Sequence, residues 1–472
     1  MKKTYNRALL ATVVVLSAFV GMMNQTILSV AQPAIIADFN VSVSSANWLS
    51  TVFALIGGIL IPISAWLADH FDTKKLVSSA LAIFLIGTTT AFLSGNFGIL
   101  MAGRVIQAVG AGILSGLSMT ILFSVFDKEE SSKPTMLLGL VFGLSPAIGP
   151  TLGGYIVDTV NWHWIFGVTL PVIVLALVLS VFFMADVVPH KGTKLDPLSV
   201  LLSTLGFGGL LYGISQISSY GWVNGHSTPY VLGGLVLVIG WIWRQIAVSD
   251  PMLNLNIFKT RNFAATSVIG AIAQISMVAV EFILPLYLQT ARGLSALDSG
   301  LTLLPGALVM FFLAPISGKF VEKNKGRQVV IFGITLMTIS TLVLSFISLT
   351  TPIWVVVAIY ALRNVGLTFA LMPAGTIGIQ SLPKDDVSHG SAGNNMVRQV
   401  GASIGTATLV SVMQSVTTNN MPSKTELVQN AGQYVTDAHS ALIVGAQASL
   451  WLATAVGFVG ILISLLITKK EK

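Results

Sequence analysis

The chain has 472 residues, 54% of them apolar and only 9% charged, with 44 glycines, no cysteine and a formal net charge of +7; its mean hydropathy is +0.84. It divides into apolar runs of roughly 20 residues, the helical length that crosses a bilayer core, so the fold class is an all-α polytopic membrane protein. The lack of cysteine excludes disulfides, thiolate metal sites and cysteine nucleophiles, and the basic residues are scattered rather than striped, so no nucleic-acid partner is expected.

In chain order, the apolar runs predict helices at 8–31, 45–66, 75–93, 98–124, 134–157, 164–186, 197–216, 229–247, 263–290, 298–317, 328–348, 352–380, 388–415 and 441–467. Lys2, Lys3 and Arg7 precede a first run that continues to Ile36 without a cleavage site, so it reads as a retained helix and not as a signal peptide. With fourteen spans, alternate loops collect nearly all basic residues: Lys74, Lys75, Lys128, Lys133, Lys191, Lys194, Lys259, Arg261, Lys319, Lys323, Lys325 and Arg327. The opposite loops hold only Arg292 and Lys424. That asymmetry puts both termini in the cytoplasm. The stretch 416–440 is polar and is expected as a short hairpin or helix over the outer face.

An internal echo organises the spans. Ala65-Trp-Leu-Ala-Asp69-His-Phe-Asp72-Thr-Lys74-Lys75 has a counterpart in Gly318-Lys-Phe-Val-Glu322-Lys-Asn-Lys-Gly326-Arg327, and Arg104 and Arg363 each sit in a helix that enters from outside. Two six-helix halves are expected, 1–190 and 251–472, with two inserted helices in 191–250 between them. Related halves imply alternating access about a site near the midplane.

The chain resembles the major facilitator superfamily, and within it the fourteen-helix drug:proton antiporters of the EmrB/QacA type. The motifs are Asn24-Gln-Thr26-Ile-Leu-Ser29-Val-Ala-Gln-Pro33, Leu67-Ala-Asp69 with Lys74-Lys75, Gly103-Arg104-Val-Ile-Gln107-Ala-Val-Gly110-Ala-Gly112, Pro146-Ala-Ile-Gly149-Pro150-Thr-Leu-Gly153-Gly154, Trp162-His-Trp164-Ile-Phe166 and Asn395-Met-Val-Arg398-Gln399-Val-Gly401. Many relatives carry an aspartate where this chain has Asn24, and an amide takes up no proton. Members similar to the lincomycin-resistance subgroup share the asparagine, and Val387-Ser-His389-Gly390 also looks like that subgroup. The resemblance implies that Asp69, Lys74 and Lys75 gate the cytoplasmic side, although Ala65, His70 and Asp72 depart from the usual glycine, arginine and glycine. Gly149, Pro150, Gly153 and Gly154 match the antiporter motif. Independently, proline without a donor beside glycines without side chains predicts a kinked helix packed close to a neighbour.

Ionisable side chains inside apolar runs are expensive and mark function. Glu281 is the only carboxylate expected deep within a span, about 27 Å from the cytoplasmic end at 1.5 Å per residue. By the same arithmetic Asn24 lies about 24 Å from the inner end of its helix and Arg104 about 9 Å below the outer end of its own, a similar depth. Glu281 is therefore the candidate for proton coupling or cation recognition, neutralised in turn by a proton, a cationic substrate or Arg104; the other reading is a fixed ion pair with Arg104. The resemblance puts Arg104 on the cavity wall, with Gln107 one turn along completing a network with Asn24. Arg363 and Arg398 are cavity or interface residues. Trp66, Phe142, Tyr287, Met372 and Met396 could form an adaptable apolar pocket. His70, His163 and His190 fall at loops or helix ends, as surface histidines rather than metal ligands.

No phosphate-binding loop and no hydrolase or zinc-protease constellation is present, so neither catalysis, nor a cofactor, nor ATP drive is expected. The expected function is proton-coupled efflux of small amphipathic drug-like compounds by a monomer in the bacterial cytoplasmic membrane. The alternatives are export of an endogenous metabolite, lipid or peptide, or a non-transporting receptor on a transporter fold.

Overall fold

A computed structural model describes residues 5–126, 132–188, 196–220, 224–248, 251, 253–323, 325–383, 386–423 and 430–468. Fourteen helices cover the expected spans. They are α1 (Arg7–Phe39), α2 (Val43–His70), α3 (Thr73–Phe92), α4 (Phe97–Val125), α5 (Ser132–Thr159), α6 (Trp164–Gly167 and Leu170–Phe183), α7 (Pro197–Tyr220), α8 (Thr228–Ala247), α9 (Arg261–Leu286), α10 (Ala296–Glu322), α11 (Gly326–Leu344), α12 (Ile353–Gln380), α13 (Val387–Asn420) and α14 (Ala431–Ser464). Thirteen are long and apolar enough to cross a membrane, and α2 is apolar over Ser45–Leu60. Lys2, Lys3, Lys128, His190, Lys191, Lys194 and Lys424 lie outside the described residues.

Side-chain caps start several helices. Asn6, Ser42, Asn96 and Ser295 each accept a bond from the first turn of α1, α2, α4 and α10, satisfying donors that a helix start leaves free. The region 416–440 differs from expectation. Its described parts are not a separate hairpin: α13 runs on to Asn420 and α14 begins at Ala431, while 424–429 lie outside the described residues. Local bonds explain the overrun. Asn430 caps α14 through Gln433 N at 3.1 Å, and Gln433 reaches Asp437 one turn on at 3.0 Å, so this segment holds a helix without an apolar surrounding.

Helices α1 to α6 pack mainly on one another, as do α9 to α14; α7 and α8 pair and lie against α2 and α13. Across the two sets, the most extensive contact among the described residues joins α5 to α10. Glycines allow it. A Cβ at Gly143 would stand 2.6 Å from Phe311 Cα, and one at Gly300 2.9 Å from the Pro150 carbonyl carbon, so a side chain at either would force the backbones apart.

Candidate functional site: two buried arginines and a central cavity

Arg104 and Asn24 meet as their depths predicted. Arg104 is fully buried; its Nη1 donates to Asn24 Oδ1 and, at 3.0 Å, to Gln107 Oε1, while Nε donates to the Leu49 carbonyl at 3.2 Å. Gln107 passes the chain on to Thr88 Oγ1 at 2.9 Å. The guanidinium lies 4.4 Å from the centre of the Phe53 ring, a cation–π contact. Phe53 faces the central cavity and Arg104 is not on its wall. This corrects the cavity role expected for Arg104, Asn24 and Gln107: they form a buried node between α1, α2, α3 and α4, behind the ring, in which Arg104 Nη2 and Asn24 Nδ2 are left without a hydrogen-bond partner.

The second set of helices repeats the device with different chemistry. Arg363 on α12 is 1% exposed; its Nη2 donates to the carbonyl of Ser276 and, at 2.9 Å, to its Oγ, and its Nη1 to Asn364 Oδ1 at 3.2 Å. Five residues beyond Ser276 on α9 is Glu281, whose carboxylate interacts electrostatically with Arg363 and Tyr360. The fixed Glu281 to Arg104 pair is absent. Arg104 Nε and Nη1 donate to neutral acceptors, and among the described residues Glu281 has no hydrogen bond or ion pair.

Between the two sets of helices lies a cavity in two contiguous compartments that share Met22, Gln25 and Gln274. The compartment nearer the chain termini includes Ser118, Asn394, Asn395, Arg398 and Gln399 in its lining; the other includes Gln32, Asn47, Ser50, Glu281 and Ser403. Arg398 and Glu281 are the only charged residues among the described lining. Arg398 Nη2 donates to Gln274 Oε1 at 2.9 Å. Two bonds cross the seam between the halves, Gln399 Nε2 to the Ala54 carbonyl at 3.1 Å and Asn395 Nδ2 to Ser115 Oγ at 3.2 Å.

The amides are the residues that sequence reasoning missed. Gln274 and Glu281, and likewise Gln25 and Gln32, are seven apart and so share a helix face, a signal present in the chain. The expected aromatic and methionine pocket is not this cavity. Tyr287 is buried in the core, Trp66 stacks on His70 at 4.4 Å, Met372 packs near Gly139, Met396 faces a groove beside α8, and the Phe142 side chain lies outside the described residues.

The gating candidates divide. In α5, Gly149 and Gly153 fit against Thr26 and Ile27 of α1, whereas Gly154 fits against Ala296 and Leu297 of α10, so the motif is a wedge with one face for each half. Pro150 does not interrupt the helix, and its carbonyl lies against Gly300. Thr151 Oγ1 donates to the Gly300 carbonyl at 3.2 Å and Leu297 N to Asp158 Oδ2 at 2.8 Å, closing this seam at the face away from the termini. At the start of α3, Lys75 pairs with Asp72 at 2.7 Å, and Asp186 accepts from Thr73 N at 3.0 Å. Those contacts stay within the first half. Lys74 lies in the first turn of α3, and the Asp69 side chain is outside the described residues.

Fourteen helices among the described residues, around a polar cavity whose described lining carries two charges, have the architecture of a polytopic membrane transporter. The sequence profile of the Major Facilitator Superfamily matches residues 14–406, and the chain belongs to that family. It is 38% identical over 473 residues to the uncharacterized MFS-type transporter YcnB of Bacillus subtilis (strain 168), covering 100% of this chain and 97% of that one. It is 32% identical over 459 residues to the lincomycin resistance protein LmrB of Listeria innocua serovar 6a (strain ATCC BAA-680 / CLIP 11262), covering 97% and 96%. A crystal structure of a POT family transporter in complex with 5-aminolevulinic acid superposes with a TM-score of 0.67 at 14% identity over 97% of this chain and 96% of that one, which shows the shared fold.

Proposed function

We propose that the protein exports amphipathic drug-like molecules in exchange for protons, with both termini in the cytoplasm of a bacterium. In this reading residues 1–190 and 251–472 rock about the cavity by alternating access, and the helices of 191–250 are carried between them. The observation that carries it is Glu281, the one carboxylate among the described residues on the cavity wall. Among the described residues Glu281 has no fixed partner; it opens on the compartment and lies within the field of Arg363, so a proton or a cationic group can neutralise it in turn. The likeness to a lincomycin resistance protein over nearly the full length supports a drug as cargo. Each proton contributes about 2.3 kcal/mol per 100 mV of membrane potential, enough for one or two to sustain a substantial gradient.

The test is uptake of a fluorescent drug by inverted membrane vesicles under an imposed pH gradient. Gradient-dependent accumulation by the native chain, absent in Glu281→Gln at matched expression, is expected. Uptake by the native chain that is indifferent to the gradient would remove proton coupling. A second reading, export of a polar endogenous metabolite, is favoured by the amides of the cavity; it predicts that the strain lacking the protein retains that metabolite while its drug sensitivity is unchanged.

A further inference from the structure

A groove on the flank of the molecule lies apart from the central cavity, with α7 and α8 as one wall and α9, α13 and α14 as the other. α13 divides the two spaces: Asn395, Arg398 and Gln399 line the cavity, and Met396, Val397 and Val400 line the groove. The floor is closed where α13 meets α9, since a Cβ at Gly401 would stand 2.9 Å from Ala271 Cβ. Ile242, Ile246 and Val268 on the walls are exposed, so the groove opens sideways. Among the described lining no side chain is charged, and Thr408 Oγ1 donates to the Ile404 carbonyl of its own helix at 2.8 Å. A polar solute would lose its water there without gaining partners, so the occupant that fits is a hydrocarbon. Along α13 the lining runs from Met396 to Leu409, about 20 Å at 1.5 Å per residue, against about 15 Å for one leaflet of a roughly 30 Å hydrocarbon core. On the side of the chain termini the groove ends at Leu255 and Phe258, in a 3₁₀ turn over Leu255–Lys259. Asn254 sets that turn: its Oδ1 accepts from Asn256 N at 3.1 Å, and its Nδ2 donates to Asp386 Oδ1 at 3.1 Å, beside the start of α13. Lys259 closes the turn, Arg261 opens α9, and both are exposed. Two cations thus stand where an apolar slot reaches the membrane surface.

We infer that the groove binds an anionic phospholipid from the leaflet on the side of the termini, with one acyl chain between α8 and α13 and the phosphate at Lys259 and Arg261. Moving a chain from the bilayer into the groove gains little hydrophobic energy, because lipid tails are as apolar as the walls. Head-group charge therefore sets the preference, and each basic residue near the surface contributes roughly a factor of five toward an anionic lipid. A second copy of this chain fits the rim less well, because a two-fold axis along the membrane normal would bring both pairs of cations together on one face. The seated chain fills the space behind α13, whose opposite face carries Gln399 and its bond to the Ala54 carbonyl across the seam. The lipid thus braces a helix that bounds the cavity. This site is separate from the solute cavity and depends on neither the cargo nor the coupling ion.

The experiment counts lipids retained by the full chain. It is reconstituted with equal amounts of phosphatidylglycerol and phosphatidylcholine of identical acyl chains, extracted into mild detergent and weighed by native mass spectrometry. Phosphatidylglycerol is expected to be retained at least about fivefold over phosphatidylcholine. Replacing both cations, Lys259→Gln with Arg261→Gln, should bring the two lipids toward equal retention, and the exchange Lys259→Arg with Arg261→Lys should keep the preference. Val268→Trp fills the mouth of the groove and should lower retention of phosphatidylglycerol, whereas Phe332→Trp, at an exposed position of α11 outside the groove, should leave it unchanged. The rim variants lie at exposed positions and decide the question even where Val268→Trp fails to fold. Equal retention of the two lipids by the native chain, a preference that survives loss of both cations, or retention indifferent to Val268→Trp would overturn the inference. So would a dimer mass that Val268→Trp converts to monomer, which would assign the groove to a second copy. No gradient and no transported solute enters the measurement, so its failure leaves the export reading standing.

Discussion

Arg104 and Arg363 occupy corresponding places: each sits in the fourth helix of its set, fully or almost fully buried, and each donates to the first helix of that set. Their surroundings differ in one respect. Around Arg104 every described hydrogen-bond acceptor is neutral, from Asn24, Gln107 and the Leu49 carbonyl, and Phe53 closes the node off from the cavity. Around Arg363 the acceptors are also neutral, but the same helix carries Glu281 to the cavity wall within reach of its field. A node of amides cannot exchange protons and serves to hold helices together. Under the proposed function, the node with a carboxylate nearby is the one that responds to protons and solute. Symmetry of the scaffold thus goes with asymmetry of the chemistry, and the second half is where gradient and substrate are expected to meet.

The largest expected effect tests the structural side of that contrast. Arg104→Ala strands the acceptors of Asn24, Gln107 and Leu49 in a buried site, at about 1 to 3 kcal/mol each, so a loss of at least about 3 kcal/mol of stability is expected even at the low end. A thermal unfolding series in detergent, followed by size-exclusion fluorescence, checks it. A midpoint indistinguishable from the native chain would mean that the node holds nothing together. Asn24→Ala is the next largest. It removes one charge-assisted bond, worth about 1.5 to 3 kcal/mol, while the protein that remains folded should still accumulate drug in response to a pH gradient, because no proton was ever carried at this position. If Asn24→Ala abolishes the gradient response as Glu281→Gln is expected to, the two nodes are not different in kind.

The contrast was only partly legible in the chain. Helix positions were readable because each apolar run is long and the bilayer leaves helices as the natural solution. The meeting of Arg104 with Asn24 was readable from depth alone, since rise per residue converts sequence number into height. Direction around the helix axis was not. Asn24 and Gln25 are adjacent, yet the first is buried among helices and the second lines the cavity, a difference of about 100° that neither residue type nor depth reveals. The same blindness made Arg104 a wall residue in expectation, set Glu281 against Arg104 when the field it feels is that of Arg363, and made a pocket of side chains of which Trp66, Tyr287, Met372 and Met396 lie elsewhere. Overrun of α13 and α14 into the polar stretch was hidden for another reason, because capping and one-turn side-chain bonds act over a few residues and leave no apolar period.

The smallest expected effect comes from a cation whose carboxylate is in direct contact. At the start of α7, Asp196 Oδ2 accepts from Arg244 Nε at 2.9 Å, Oδ1 from Nη2 at 3.3 Å, and Ser199 Oγ adds a bond of 2.6 Å. Together with Gln245, which donates to Ser199 Oγ at 2.7 Å and accepts from Leu253 N at 3.1 Å, this fastens the ends of α7 and α8 to the chain leading into α9. The Arg244 guanidinium holds the Asp196 carboxyl below the usual carboxylate range. A lowered folded-state pKa stabilises above the unfolded value of about 3.9 and loses that contribution as the pH falls through the folded one. Asp196→Asn should therefore cost no more than about 1 kcal/mol, the range of solvent-accessible pairs. The difference between native and variant melting should stay level from neutral pH down toward about pH 5 and disappear in stronger acid. Transport at neutral pH is expected to be unchanged, because a pair satisfied by direct contact fastens two helices and has no vacancy for a proton or a solute. Loss of gradient-driven uptake in this variant would show that the inserted helices take part in the coupling cycle, and the division between holding charges and working charges would have to be redrawn.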